Sequence, residues 1–342
     1  MKAADLAIAA LLTALPAPAG AQDAPAVTVS GLRDPVDKSY REMAKGMTLF
    51  EALHAMAPAA SLRYRLWPRK PDTDMRGIEL ALVGDSFEVP VPVAADRTFT
   101  LGRYAKALAE DASVRPNRRA DSMTWRVDIR TPGLPADQRR LGDLRLECRV
   151  GMAAGLVSHY PSLLERIMDR VLGAASFCDQ REPPYLFFAD RPLFSVTLDA
   201  GGRRRTLAAG ELYAGLVIGR VAEKELYYCD CEALLEQAYY VPLGDRSWPD
   251  ETRVELEYMD GPPRAAASDA NGDETDYNAL LGSSKREMSA WFGKAAVARF
   301  DDGQEIWAYP FGSQGRRLDA PELVVLFDRS GRAAKVRFRG GS

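Results

Sequence analysis

Histidine and the common catalytic motifs are almost missing from this chain. The 342 residues include only 2 histidines, His54 and His159. His54 lies on or beside the apolar face of a predicted helix and His159 directly precedes another, so packing or surface positions explain both better than acid–base catalysis. The sequence also lacks HExxH, a phosphate-binding loop, GxSxG and the glycine pattern of dinucleotide-binding proteins. We therefore predict no catalytic residue, no cofactor and no metal site.

Long apolar runs and a strong net charge are lacking as well. The formal net charge is −3, which gives no reason to expect nucleic acid or an anionic membrane as a partner. No apolar run approaches the length of about 20 residues that a membrane-spanning helix needs. We therefore predict no transmembrane segment.

The N-terminal residues 1–21 have the three parts of a cleavable secretory signal. Lys2 supplies a positive charge, the apolar run LAIAALLTAL extends from Leu6 to Leu15, and Ala19-Gly20-Ala21 forms a small-residue end. We predict signal cleavage near Ala21 and a periplasmic or secreted mature protein. No cysteine lies near the predicted cut, so we expect no lipid anchor.

Cysteine is scarce, and its number is even. The 4 cysteines are Cys148, Cys178, Cys229 and Cys231, and in an exported protein they are candidates for disulfide bonds. A bond between Cys229 and Cys231 would close a very small ring, so we expect each of them to pair with Cys148 or Cys178, in either combination. A four-thiolate zinc site is the alternative, but no C-x-x-C spacing supports it.

The spacing of apolar residues predicts an α+β fold that is mostly β. Residues 22–58 are predicted to form a lead-in and an amphipathic helix from Pro35 to about Met56, because apolar residues recur at helical spacing. In residues 59–158 the period changes to two, which favours a β-sandwich-like domain with a short helix within 102–122. The strands predicted there are LRYRLW (62–67), GIELALV (77–83), FEVPVPV (87–93), RTFTL (97–101), TWRVDI (124–129) and LRLECRV (144–150).

The following residues are predicted to form a connecting helix and a second β domain. The helix lies within residues 159–183, at about 160–173, where a proline fits its first turn and a glycine its end. Residues 184–260 are predicted to be a second β-sandwich-like domain, in which LFSVTLD (193–199) and a glycine turn begin a hairpin. Further predicted strands are LYAGLVIG (212–219), ELYYCDC (225–231), AYYVPL (238–243) and TRVELEY (252–258). Residues 261–276, rich in Pro, Ala, Gly and acidic residues, are a predicted linker.

Residues 277–342 are predicted to form a small antiparallel domain with one helix and three strands. Ser284 and Glu287 make a capping box, and we expect Met288, Trp291 and Phe292 to be the buried face of the helix that follows. The three predicted strands are QEIWAYPF (304–311), ELVVLFD (322–328) and AAKVRFR (333–339).

Short motifs of this segment match a known family. They are Leu281-Gly282-Ser283-Ser284, Trp291-Phe292-Gly293, Asp302-Gly303 before Ile306-Trp307-Ala308-Tyr309, Leu326-Phe327-Asp328, Gly331-Arg332 and Lys335-Val336. With these motifs, residues 277–339 resemble the outer-membrane assembly lipoprotein family called BamE, SmpA or OmlA. The resemblance implies a helix-plus-three-strand fold used for protein contacts at the cell envelope, without catalysis. The family is usually lipid-anchored and small, whereas this chain has no anchoring cysteine and two large predicted domains before the segment.

The sequence predicts a cell-envelope binding or scaffold protein whose partner is an envelope protein. The candidate contact residues are Arg203, Arg204, Arg205, Tyr227, Tyr239, Trp307 and Tyr309, because arginine clusters grip anionic groups and aromatic residues suit interfaces. One alternative is a hydrolase of envelope glycans, since a pair of catalytic carboxylates has no local sequence signature. The other alternative is a secreted enzyme inhibitor, which would present an exposed concave sheet around Trp307 and Tyr309.

Overall fold

The computed structural model describes residues 36–70, 72–119, 122–156, 177–179, 185–218, 232–262, 277–311 and 320–339. These residues form an α+β structure, mostly β, with several antiparallel sheets and few helices, as predicted. The predicted signal peptide, the helix at 160–173, the strand at 225–231 and most of the predicted linker lie outside the described residues. Within the described ranges, no helix has both the length and the apolar character needed to cross a membrane.

The first helix, α1, spans Tyr40–Leu53 and continues into a 3-10 turn at His54–Met56. The predicted amphipathic helix is therefore confirmed, but it begins at Tyr40 and not at Pro35. Ser39 is the reason, because its hydroxyl oxygen accepts a hydrogen bond from the backbone N–H of Glu42 at 3.4 Å and caps the helix. The face of α1 that carries Tyr40 and Met43 is buried in the first hydrophobic core.

The first β region consists of two antiparallel sheets that share this core. One sheet has the order β1-β6-β3-β4 and the other the order β5-β2-β7. The strands are β1 (Lys38–Ser39), β2 (Ser61–Pro68), β3 (Leu80–Val83), β4 (Glu88–Val91), β5 (Thr98–Phe99), β6 (Ser113–Pro116) and β7 (Met123–Arg130). A short helix, α2 (Ala105–Ala109), lies between β5 and β6, as predicted.

The segment LRLECRV is helical, so the prediction of a strand there is wrong. It belongs to α3 (Leu141–Ala153). Leu144 and Cys148 point into the core of the second β region, whereas Leu146 and Val150 point into the core of the first. Because α3 is buried on two sides, two helical apolar faces overlap in the sequence and imitate the alternation of a strand.

The second β region is built on the sheet β11-β10-β13-β8 and a two-stranded ribbon of β9 and β12. Its strands are β8 (Gln138–Arg140), β9 (Phe187–Phe188), β10 (Leu193–Ala200), β11 (Arg203–Thr206), β12 (Ala238–Tyr239) and β13 (Arg253–Tyr258). The predicted hairpin is confirmed, and its turn residues Gly201 and Gly202 have φ values of 59° and 92°, which suit a tight hairpin turn.

Two further strand predictions in this region need correction. LYAGLVIG forms 3-10 turns at Tyr213–Ile218, and AYYVPL is extended only over the two residues of β12. The backbone explains the first error, because Tyr213 and Ala214 have φ values of 55° and 54°, in the left-handed region that no strand uses. The buried hydroxyl of Tyr213 donates a hydrogen bond to the carbonyl of Leu193 at 2.8 Å and holds this turn in place.

The C-terminal module has the predicted helix and three strands, with one more short strand before them. The helix α4 (Lys285–Phe292) starts at the capping box of Ser284 and Glu287 and ends at Gly293, whose φ is 78°. The strands run in the order β14 (Ala296–Arg299), β15 (Glu305–Pro310), β16 (Glu322–Phe327) and β17 (Ala333–Arg339). Met288 is buried and Phe292 is half-buried, but the expected burial of Trp291 is wrong, since its side chain is 56% exposed.

Both faces of the sheet in the C-terminal module are packed against other parts of the protein. One face lies under α4, where Tyr309 and Val325 are buried. The other face places Ile306, Ala308 and Leu326 in the same core as the second β region. The C-terminal module is therefore joined to the second β region by a continuous hydrophobic core.

Candidate functional site

The cysteines form one disulfide in the described part of the chain. Cys148 of α3 is bonded to Cys178, with Cα atoms 6.0 Å apart. This corrects the expected pairing of both residues with Cys229 and Cys231, which lie outside the described residues. Sequence spacing left the pairing open, and the helical conformation of α3, which sequence reasoning missed, turns Cys148 toward Cys178.

The predicted contact arginines at the β10–β11 hairpin all have partners within the chain. Arg203 stacks on the ring of Trp248, with its guanidinium carbon 4.0 Å from the ring centre. Arg204 binds the carboxylates of Asp199 at 2.6 Å and Glu255 at 2.8 Å, and Arg205 binds both oxygens of Glu211 at 2.9 Å. The three side chains therefore stabilise the hairpin and its surroundings.

The predicted contact aromatics are mostly inside the protein. Tyr239 is completely buried in the second β region, and Tyr309 is buried below α4. Trp307 is half-buried against Phe327, and its indole N–H donates to the Glu305 carboxylate at 2.7 Å. Tyr227 lies outside the described residues. As they are placed, Tyr239 and Tyr309 offer no surface to a partner.

The outer face of α4 carries the most exposed large apolar side chain in the described part of the chain. Trp291 is 56% exposed, more than any other large apolar residue in the described ranges. Its ring contacts Phe292 edge-on, at 6.5 Å between ring centres. The result is an exposed indole group on a helix that is anchored to the sheet by Met288.

An open groove of about 520 Å³ lies between the second β region and the loops of the C-terminal module. Its lining residues are Pro192, Met259, Asp260, Asp302, Gln304, Asp328, Arg329 and Ser330. The carboxylates have structural partners: Asp260 binds Arg191 at 3.0 Å, and Asp302 accepts from the backbone of Gln304 at 2.9 Å. Hydrogen bonds from Ser330 and the backbone of Arg332 lower the pKa of Asp328, which is unsuitable for a general acid.

A buried layer of charge covers the outer face of the sheet β5-β2-β7. Arg65 of β2 and Arg126, Asp128 and Arg130 of β7 lie on this face, opposite the side that forms the first core. The two terminal guanidinium nitrogens of Arg130 donate to the Asp190 carboxylate at 3.0 and 2.9 Å, and its Nε donates to the Asp128 carboxylate at 2.7 Å. Residues 185–190 of the second β region cover the layer, so its charges are largely removed from water.

The same layer continues to α3 through a second buried ion pair. Glu147 binds Arg139 at 2.7 Å and accepts from the backbone N–H of Ile129 at 3.2 Å. Burial raises the pKa of Glu147, although the charge of Arg139 opposes this shift. Burial also raises the pKa of Asp190, but the hydrogen bonds and charges of Arg130 and Arg65 are stronger and leave it below its ordinary value of 3.8. The layer is a network of charge-assisted hydrogen bonds without a nucleophile among its members.

Comparison with known proteins gives no match. No family model matches the chain, and no curated protein or solved structure resembles it closely enough to be counted.

Sequence reasoning missed both the exposed indole of α4 and the buried charged layer. Trp291 lies three residues after Met288, a spacing that normally indicates one shared face. The arginines and aspartates of β2 and β7 alternate with apolar residues, a pattern typical of a sheet with one face in water. A signal was present, however, since four arginines occupy the polar positions of these two strands: Arg63, Arg65, Arg126 and Arg130.

Proposed function

We propose that this chain is an exported binding or scaffold protein of the cell envelope, and that the outer face of α4 is its contact surface. The main support is the exposure of Trp291, which is 56% accessible. Exposing an indole costs hydrophobic free energy that a partner would recover on binding. Tryptophan is also enriched among the residues that dominate the binding energy of interfaces.

The helix that carries Trp291 is capped at its start and packed against the sheet. The capping box satisfies its first backbone groups, with the Glu287 carboxylate 2.8 Å from the backbone nitrogen of Ser284. Met288 and Phe292 pack on the sheet below, and that sheet shares a core with the second β region. A surface that is ordered before binding loses less conformational entropy in the complex, which suits a scaffold.

The chemistry of this surface indicates the kind of partner. The exposed group is a large apolar indole, so a complementary surface has an apolar pocket that receives it. The BamE-like motifs of residues 277–339 support a role in protein contacts at the envelope. The disulfide between Cys148 and Cys178 and the signal-like N-terminus support export, since disulfides persist in oxidising compartments.

The two alternative functions, an enzyme inhibitor and a glycan hydrolase, are not supported by the surfaces on which they would depend. An inhibitor that presents a concave sheet around Trp307 and Tyr309 is not supported, because Tyr309 is buried and Trp307 is half-buried. A carboxylate-based glycan hydrolase is not supported by the groove near Asp260 and Asp328, whose carboxylates are bound within the chain.

Site-specific photo-crosslinking tests the proposal. A benzophenone amino acid at position 291 is expected to give one discrete crosslinked product in cells. The same group at Tyr104, which is 42% exposed on the first β region, is the control and is expected to give none. Equal labelling from both positions, or no product from position 291, would contradict the proposed surface.

The crosslinked partner is then purified for a binding measurement. Trp291→Ala is expected to raise the Kd about 30-fold, which corresponds to the roughly 2 kcal/mol of a dominant interface residue. Tyr104→Ala is the matched aromatic control and is expected to leave the Kd unchanged. An unaltered Kd for Trp291→Ala would show that the partner binds elsewhere.

A further inference from the structure

Two arginines of the buried charged layer are placed directly opposite each other. Arg65 of β2 and Arg126 of β7 are cross-strand partners, so their side chains leave the sheet side by side on the same face. Like charges at such positions repel each other. The arrangement therefore requires negative charge close to both residues.

Arg65 has such a partner and Arg126 does not. The guanidinium of Arg65 binds the carboxylate of Asp190. Arg126 is only 6% exposed, yet among the residues that the structure describes no carboxylate lies within ion-pair distance of it. Its Nε atom is buried without a hydrogen-bond acceptor, and its guanidinium lies 5.1 Å from the ring centre of Phe188.

The charged layer contains one more guanidinium group than carboxylate groups. Four guanidinium groups surround the cluster, those of Arg65, Arg126, Arg130 and Arg139. The carboxylates of three residues face them: Asp128, Glu147 and Asp190. Each of these carboxylates already binds an arginine other than Arg126. A buried cation without a counter-charge is strongly unfavourable in the low dielectric of a protein interior.

Tyr185 does not supply the missing negative charge. Its side chain lines the same cavity as Arg126. Burial raises the pKa of the Tyr185 hydroxyl to about 12, even though the charge of Arg126 and a hydrogen bond from its guanidinium lower it. The hydroxyl is therefore neutral near pH 7 and is able to donate a hydrogen bond.

A small cavity lies among these groups. Its polar lining consists of four arginines, Tyr185 and the carboxylates of Asp128 and Glu147, which are paired with Arg130 and Arg139. Its volume is about 10 Å³. This is about the space of a single water molecule. It is too small for phosphate or a carboxylic acid and suits one small spherical ion.

We propose that this cavity is a binding site for a small monovalent anion of the chloride class, held between Arg126 and Arg65. The anion neutralises the unpaired guanidinium of Arg126 and accepts hydrogen bonds from its Nε and from the Tyr185 hydroxyl. It lies where the first β region meets residues 185–188 of the second, so it holds the two regions together. A water molecule would fill the same space but would leave the excess positive charge in place.

Thermal unfolding of the mature protein at constant ionic strength tests the site. Chloride is titrated against gluconate, an anion too large for the cavity. A ligand that binds only the folded state stabilises it according to its concentration and Kd, so Tm is expected to rise and then saturate with chloride and with bromide. Equal Tm values in chloride and gluconate would overturn the proposal.

Variants assign the effect to Arg126. Arg126→Met is expected to remove the dependence of Tm on chloride, and Tyr185→Phe to weaken the apparent Kd several-fold. The matched control is Arg191→Met, which removes a half-exposed arginine paired with Asp260 and is expected to keep the full dependence. A chloride dependence that survives in Arg126→Met would place the ion elsewhere and refute the assignment.

Anomalous scattering from bromide gives a test that needs no variant. Crystals of the wild-type chain soaked in bromide are expected to show a peak beside Arg126. If bromide appears there while Tm shows no chloride dependence in solution, the ion binds at crystal concentration only and the proposal fails.

Discussion

The carboxylate of Glu257 in β13 lies 2.6 Å from the guanidinium of Arg337 in β17 and 3.8 Å from the ammonium of Lys335. Glu257 and Lys335 are buried, at 7% and 3% exposure. These contacts join the second β region to the C-terminal module at the edge of their shared core. They give the junction a specific geometry that apolar packing alone would not provide.

The first prediction concerns this junction. Glu257→Gln removes the carboxylate from beside two cations, so we expect the free energy of unfolding to fall by about 3 kcal/mol, as is usual when one member of a buried ion pair is lost. Urea unfolding measures this change. The matched control is Asp74→Asn, which breaks an exposed pair with Arg76 and is expected to change stability little. Similar small effects of both variants would show that the junction is held by its apolar core alone.

The second prediction concerns the disulfide. Cys148 and Cys178 are 30 residues apart in sequence, and closing a loop of this size stabilises the folded chain by about 3 to 4 kcal/mol in the chain-entropy description. The double variant Cys148→Ala/Cys178→Ala is expected to lose about this amount in urea unfolding. Thiol titration of the unfolded, non-reduced wild type provides the chemical check, and four free thiols would disprove the bond.

The third prediction is a pH dependence that originates at Asp190. Although burial raises its pKa, the hydrogen bonds and charges of Arg130 and Arg65 bring the folded pKa below 3.8. The unfolded chain therefore binds the proton more tightly, and the stabilisation is complete above the unfolded pKa and lost as pH falls through the folded pKa. Asp190→Asn is expected to be less stable than wild type at pH 6, with a difference that shrinks as pH is lowered below 4. A difference that stays constant down to pH 3 would contradict the lowered pKa.

The fourth prediction separates the two sides of α4. Met288 is fully buried, so Met288→Ala is expected to lower the free energy of unfolding by about 3 kcal/mol through lost packing and a cavity. Trp291 is 56% exposed, so Trp291→Ala is expected to change it by no more than about 0.5 kcal/mol. Urea unfolding compares the two variants directly. A large loss in Trp291→Ala would mean that the indole belongs to the core, and its role in partner binding would then lose its basis.

Local signals in the sequence were sufficient for several elements of the fold. The helix α1, the hairpin turned at Gly201-Gly202, and the capping box of Ser284 and Glu287 are all determined by residues within one or two turns of each other. Their physical basis is short-range, since a cap, a glycine with positive φ and a helical apolar stripe act without help from distant residues. The sequence by itself therefore determined the α+β class and most of the strand positions.

Only the tertiary structure decided which faces are buried. The alternation of apolar residues from Leu144 to Val150 is typical of a strand. The segment is nevertheless helical, because α3 packs between two hydrophobic cores and buries an apolar face in each. The charged residues of β2 and β7 have the pattern of a solvent-facing surface, yet residues 185–190 cover them and leave Arg126 6% exposed. Periodicity reports where apolar residues point, whereas what covers the polar face depends on segments far away in the sequence. That is why the arginine-lined cavity and the exposed indole of Trp291 emerge only from the folded chain.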